Sequence, residues 1–382
     1  MKKVLFVNDE LSVGGVSTVL LNLLNALDKK EYEIHLLILN RHEQNYNHLP
    51  PYIKLVETTT FFDVCDIPIQ ECFKMGPIYL FKKIYFYLLI KTGLINKRLK
   101  KERLKMNIDD YDTEIAFKEG ISSIFVANSN CQNIINWVHS DYRVMNYSKH
   151  YIKTMTKTLS KFNMNVAVSK VAMESFKEIF KIENIKVIHN VLNVEDIKWK
   201  MEEPITKEEH DGIRLISVGR LHPQKSYDRL LNVAKRLNDE GYKFQLDIIG
   251  DGILKENLKK QKEELNLNNI NFLLEKSNPF PYVKRSDLFV LSSIYEGLPT
   301  VVYESLICGV PVISTRVAGV DEQLDEKIGM IVDNDEDSLF KGLKLLFENP
   351  EKIRTMKNNL SAYNYENDYI LSEVGELLNN ER

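Results

Sequence analysis

The sequence predicts an α/β protein built from two doubly wound domains. Three observations carry this expectation. Short β-rich apolar runs alternate with amphipathic stretches along the chain, the rhythm of βαβ units around buried parallel sheets. The alternation pauses once, over residues 190–212, where the composition is polar and charged without a clean period, and then resumes. The 382 residues also exceed what one core organises, and two domains of ordinary size are expected.

In chain order, VLFV (4–7) leads through Gly14-Gly15 into the helical VSTVLLNLLNALDKK, and EIHLLIL follows as the next strand. TEIAF, IINWV, MNVAV and IKVI continue the first sheet as far as Asn190. The second series is IRLISVG, FQLDIIG, INFLL, SDLFVLS, PVIST and GMIV, with helical segments between them. The expected boundaries are a first domain at 1–190, a hinge at 191–205 and a second domain at 206–358. A helical tail at 359–382 is expected to pack back on the first domain.

Hydrophobic residues at 44%, charged residues at 27% and a net charge of −3 describe a soluble globular chain with no global attraction to nucleic acid. The start, MKKVLFVNDE, meets Asn8, Asp9 and Glu10 too soon for a signal peptide, and IYFYLLI (84–90) is far shorter than a membrane span. Four cysteines without a Cys-x-x-Cys pair favour reduced thiols over a zinc site or a disulfide framework. A cytoplasmic protein is expected, with no bound metal. The sequence does not fix an oligomeric state.

Ligands of open α/β sheets sit beyond the carboxyl ends of the strands, so polar groups there are the candidates. After IRLISV come Gly219, Arg220 and Lys225, just before a helix. A cation opposes the dipole at a helix start unless an anion shares the site, and Arg and Lys together suit a diphosphate. In YEGLPTVVYESLICG (295–309), Pro299 starts a helix, which leaves Glu296 on the loop and Glu304 on the helix. The amides of Thr300 and Val301 are then open to phosphate oxygens, and Glu304 can accept the two hydroxyls of a ribose. Taken singly, Arg220 reads as a loop salt bridge and Lys225 as a solvated charge, but their joint placement favours a site; Glu296 reads equally as a solvated loop carboxylate or a sugar contact.

GRLHPQKSYDRLL (219–231) and SNPFPYVKRSDLFVLSSIYEGLPTVVYESLICGVPVIST (277–315) resemble the C-terminal domain of glycosyltransferase family 4, including its Glu-x7-Glu element at Glu296 and Glu304. The resemblance implies the GT-B fold, two Rossmann-like doubly wound domains facing each other across a cleft that closes over the donor. It also implies a retaining, metal-independent transfer of a hexose or N-acetylhexosamine from a nucleotide sugar, UDP-linked by expectation. The acceptor would be a glycan or lipid-linked molecule in surface polysaccharide synthesis, and no cofactor is implied beyond the donor. By this resemblance Arg220 and Lys225 hold the diphosphate, Glu304 the ribose and Glu296 the transferred sugar, while the base lies against Leu273 to Glu275, centred on Leu274. Gly14, Gly15, Glu119 with its neighbours Lys118 and Gly120, and His139 fall on loops expected to line the donor and acceptor cleft, with His139 beside the reacting sugar. Ser226 stands where the family commonly has glycine.

Three other readings remain open, two of them enzymes. MIVDNDED (330–337) superficially matches a metal-binding Asp-x-Asp signature, although Asp333 to Asp337 read better as a helix cap. A nucleotide-sugar epimerase or a non-catalytic nucleotide-sugar binder would share the architecture. One stretch is left outside the site: residues 81–106 carry nine Lys or Arg against one Glu, with aromatics interleaved. This suggests either a solvated helix pair or peripheral contact with an anionic membrane.

Overall fold

The computed structural model describes residues 1–11, 14–40, 49–65, 67–108, 110–144, 147–206, 212–273, 276 and 278–379. They divide into two compact units, Met1–Leu192 joined by the chain from Asn367 onward, and Asn193–Glu366.

The first unit holds a seven-stranded, all-parallel sheet: β1 Lys2–Asn8, β2 Tyr32–Ile38, β3 Lys54–Val56, β4 Thr113–Ala116, β5 Asn133–Val138, β6 Met164–Ala167 and β7 Ile185–Val187, in the order β3-β2-β1-β4-β5-β6-β7. β1 and β4, adjacent but distant in sequence, are buried along their paired residues, Val4 opposite Thr113 to Val7 opposite Ala116. Double burial explains why the centre of β1 reads as a continuous apolar run. The second unit repeats the plan with six parallel strands: β8 Ile213–Val218, β9 Phe244–Ile249, β10 Ile270–Leu273, β11 Leu288–Leu291, β12 Val312–Thr315 and β13 Gly329–Val332. Their order is β10-β9-β8-β11-β12-β13. Leu231, Leu246, Val290, Leu343 and their neighbours form its core between sheet and helices.

Each sheet has a switch point where the strand order reverses, β1/β4 in the first and β8/β11 in the second, and the loops leaving these strands carry the candidate residues. Beside the second, the ends of β8 and β9 come close together: a Cβ on Gly250, after β9, would stand 2.0 Å from the Gly219 carbonyl oxygen. Only glycine lets these two strand ends lie side by side.

Two expectations change. β3 has no counterpart in the sequence reading. The segment read as a hinge, 191–205, contains the helix Val194–Lys200, N-capped by the Asn193 side chain on the Asp196 amide at 3.1 Å, and from Asn193 onward it belongs to the second unit. The tail forms the helix Asn367–Asn379 in the first unit, where the Leu377 carbonyl accepts from Asn133 at 2.9 Å and Glu373 pairs with Lys186 at 3.5 Å.

The basic stretch folds as two helices, Pro77–Thr92 and Ile95–Lys105, and presents far less charge than it contains. Arg103 is buried 2.5 Å from Glu114, and Arg98 and Lys105 both hold the buried Glu102. Lys82 pairs with Asp63 at 3.2 Å, and Lys83 donates to the carbonyls of Val64 and Cys65. Of the nine cations, Lys91, Lys97, Lys100 and Lys101 are exposed with no ion-pair partner among the described residues, and the exposed Lys105 is taken up by Glu102.

Candidate functional site

The loop after β8 closes with a short 3-10 turn, Pro223–Lys225, and places Lys225 directly before the helix Tyr227–Asp239. The hinge of this loop is Ser226, at φ 48°, ψ 48°. That left-handed conformation explains why glycine is frequent there, and serine bears a cost on the order of 1 kcal/mol in adopting it. The loop after β11, residues 292–299, runs beside it because β8 and β11 are neighbours in the sheet.

The two loops are tied together at their charged residues. Lys225 Nζ lies 2.6 Å from Glu296 Oε1, with both side chains largely buried. The Ser293 hydroxyl donates to the same oxygen at 2.7 Å, and the Gln224 amide donates to Glu296 Oε2 at 3.1 Å and to the Tyr295 carbonyl at 2.9 Å. Main chain joins as well: the Ile294 amide donates to the Gln224 carbonyl at 2.8 Å, and the Ser292 hydroxyl donates to the Lys225 carbonyl at 2.8 Å. Lys225 and Glu296, assigned by the sequence to separate ends of a ligand, are therefore partners here. Gln224 and Ser293, which fix Glu296, were not singled out by the sequence: a Gln and a Ser on polar loops carry no pattern that separates them from solvated residues.

The helix after this loop is Thr300–Ile307, with Pro299 at its N-cap and Val302, Tyr303 and Leu306 buried. Its first turn has no side-chain cap, and among the described residues the amides of Thr300 and Val301 have no acceptor. They present the positive end of the helix dipole toward the Lys225–Glu296 pair's loop. One turn on, Glu304 keeps part of its side chain open to solvent. The dense protein around its carboxylate pushes its pKa up to about 7, against the lowering pull of the Thr300 hydroxyl and the Lys225 charge. Arg220 is exposed and has no ion-pair partner among the described residues, a guanidinium fork free for an anion. Gly219 leaves room for Lys225 to fold back, since a Cβ there would lie 3.2 Å from Lys225 Cε. Leu274 and Glu275, expected at the base, lie outside the described residues.

The switch point of the first unit gathers a second set. The Asp9 carboxylate accepts from the Ser122 amide at 2.9 Å and from its hydroxyl, capping the helix Ile121–Val126, which Gly120 begins with no side chain of its own. In the sequence, Asp9 only ends the apolar start of the chain. Glu119 Oε1 accepts from the amides of His139 at 2.6 Å and Ser140 at 3.0 Å, so it clamps the loop after β4 to the loop after β5. Lys118 pairs with Glu10 at 3.1 Å. The His139 ring lies against Phe117, and its Nε2 is 2.8 Å from the Phe117 carbonyl oxygen. A carbonyl only accepts, so Nε2 carries the proton and Nδ1 a lone pair; burial holds the ring's pKa below the ordinary histidine value. Gly14 is extended (φ 169°, ψ 166°), and Gly15 opens the helix Gly15–Ala26 with no atom within 4 Å of where a Cβ would be.

Asp333 to Asp337 take structural positions. Asp335 caps the helix Glu336–Glu348 by accepting from the Ser338 amide at 2.8 Å, and Asp337 pairs with Lys341 and Arg236.

Over 357 residues, 91% of each chain, the protein is 28% identical to the N-acetylgalactosamine-N,N'-diacetylbacillosaminyl-diphospho-undecaprenol 4-alpha-N-acetylgalactosaminyltransferase of Campylobacter jejuni. It is 36% identical over 141 residues to the O-antigen biosynthesis glycosyltransferase WbnH of Escherichia coli, covering 37% of this chain and 39% of that one. The fold matches that of Anabaena HepE, crystallised with UDP and glucose, with a TM-score of 0.71 over 99% of both chains at 15% identity. The model of the family described as "Glycosyl transferases group 1" matches residues 173–363, half of the chain. This protein is a glycosyltransferase with two Rossmann-like units of the GT-B type, and it belongs to the group 1 glycosyl transferases.

Proposed function

We propose that the protein is a retaining, metal-independent transferase that moves a hexose or N-acetylhexosamine from a UDP-linked donor to a glycan or lipid-linked acceptor in surface polysaccharide synthesis. The observation that carries the donor half is the meeting of Arg220, Lys225, the open amides of Thr300 and Val301, and the two glutamates at one switch point. Relatives that act on diphospho-undecaprenol-linked saccharides or in O-antigen synthesis support the acceptor class. Retention and the family assignment of roles rest on the motif resemblance.

In this reading the diphosphate sits against Arg220, Lys225 and the helix start, and Glu304 accepts the ribose hydroxyls. As the bond from the sugar's anomeric carbon to the diphosphate oxygen breaks, the acceptor oxygen bonds to that carbon on the same face, and its proton passes to the leaving phosphate. The two cations and the amides supply the positive potential that a departing nucleoside diphosphate requires, the part a metal ion would otherwise play. Glu296 faces the transferred sugar, held in place by Gln224 and Ser293. His139 acts through its Nδ1 lone pair as a neutral acceptor for a donor-sugar hydroxyl, since Nε2 is committed to Phe117. Glu119 positions His139, and Gly14 and Gly15 keep side chains out of the donor and acceptor path.

Nucleotide release from a panel of nucleotide sugars, with and without chelator, tests the reading. Turnover of a UDP-sugar that is indifferent to the chelator, with the product anomer matching the donor's, is expected. Loss of activity with chelator, or interconversion of the sugar without transfer, overturns it. Gln224→Ala is expected to lower kcat about tenfold with donor KM within about twofold, because it loosens Glu296 without removing a diphosphate contact. An equal rise in KM would place Gln224 in donor binding instead.

A further inference from the structure

The helix Pro77–Thr92 presents a surface that the donor site does not use. Its only charged residues are Lys82, Lys83 and Lys91, and the first two turn inward to Asp63 and to the carbonyls of Val64 and Cys65. On the outward side, Ile78 (69% exposed), Phe81 (72%), Tyr85 (42%) and Leu88 (51%) recur at spacings of three and four. At 100° per residue they fall within an arc of about 80°, a single stripe along the helix. A solvated helix places polar residues there; this one places large apolar and aromatic ones.

The charge around the stripe is of one sign. Between Pro77 and Met106 the only acid is Glu102, fully buried between Arg98 and Lys105. The exposed charges with no ion-pair partner among the described residues are Lys91 at the end of the first helix and Lys97, Lys100 and Lys101 on the second. A second copy of this face would set lysines against lysines. The surface is complementary to one that is apolar beneath and anionic above.

We propose that this face docks on an anionic lipid bilayer, with Ile78, Phe81, Tyr85 and Leu88 entering the boundary between headgroups and acyl chains and the four lysines lying at the phosphates. The helix is 16 residues long, and no helix among the described residues is long and apolar enough to cross a membrane, so the element lies in the interface plane. Insertion of the stripe supplies the salt-resistant part of the affinity, and each lysine near an anionic leaflet adds roughly fivefold. The inference is independent of the donor-site reading.

Vesicle flotation tests it. The protein is expected to float with phosphatidylglycerol-rich vesicles at least about tenfold more than with pure phosphatidylcholine. The triple variant Lys97→Glu, Lys100→Glu, Lys101→Glu should lose at least about tenfold of that binding, and the loss should shrink at high salt. The double variant Phe81→Asp, Leu88→Asp should fail to float at any salt while keeping the parent's circular dichroism, because both side chains are exposed. Should the double variant misfold, Phe81→Trp replaces it: a blue shift of emission on adding anionic vesicles supports insertion, and unchanged emission overturns it. The proposal is also overturned if the parent does not float, if the double variant floats like the parent, or if the parent is a dimer that the double variant dissociates. Nucleotide release in vesicle-free solution should be equal in all of these proteins, so failure of the membrane contact leaves the transferase reading standing.

Discussion

Replacing Lys225 by alanine is expected to lower kcat/KM for the nucleotide sugar by a factor on the order of 10²–10³, the largest loss from any single side chain in the molecule. Two effects add. The diphosphate loses the cation that balances the charge developing on the leaving group. Glu296 also loses its partner at 2.6 Å and is left beside the phosphates with only the Gln224 amide and the Ser293 hydroxyl against its charge. An unpaired carboxylate in a largely buried pocket repels the donor as well as failing to hold it. Lys225→Arg should recover part of the loss but not all, since the fork of arginine does not reproduce a point charge reaching past Gly219. Arg220→Ala should cost about tenfold, because Arg220 is exposed and its removal strands no buried charge. Nucleotide release under steady-state conditions measures all three. A Lys225→Ala enzyme within about threefold of the parent would show that the diphosphate is bound elsewhere.

The pairing behind that prediction shows where sequence reasoning stops. Buried parallel strands announce themselves, because both faces are covered and the run is apolar throughout, as in VLFV. The three-residue edge strand Lys54–Val56 does not, since one side is unpaired and two of its residues are exposed. Residue types at strand ends were equally legible: Arg220, Lys225, Glu296 and Glu304 all lie at the second switch point. Their mutual contacts were not, because Lys225 and Glu296 are 71 residues apart and meet only through the non-sequential neighbours β8 and β11. The same limit governs the basic stretch. The number of lysines and arginines is a property of the sequence, but whether Lys82 and Lys83 face inward depends on the helical phase set by Phe86 and Leu89 entering the core. A surface read as basic is apolar with a basic rim.

Glu304 leads to the second large effect, a pH dependence of donor affinity with a definite sign. Its carboxyl titrates near 7 because burial disfavours the charged form. The ionised form is the better acceptor for two ribose hydroxyls, so binding favours it and releases a proton. Affinity for the nucleotide sugar should therefore weaken by up to about tenfold per pH unit as the pH falls below about 7, and level off above it. The intact nucleotide sugar is the right ligand for this measurement, since both of its phosphates are diesters and neither titrates near neutrality. Glu304→Gln should flatten the profile and bind about tenfold more weakly than the parent at alkaline pH. Stability should move the other way. A carboxyl whose folded pKa is raised from 4.5 to about 7 stabilises the fold fully below the unfolded value, and that contribution is lost as pH rises through 7. The Gln variant, which never ionises, should therefore melt a few °C above the parent at alkaline pH and level with it in mild acid. A variant that loses both affinity and stability at alkaline pH would mean that Glu304 holds up the helix Thr300–Ile307. Lost affinity with gained stability is the signature of a carboxylate kept ionisable, against the preference of its surroundings, for a ligand.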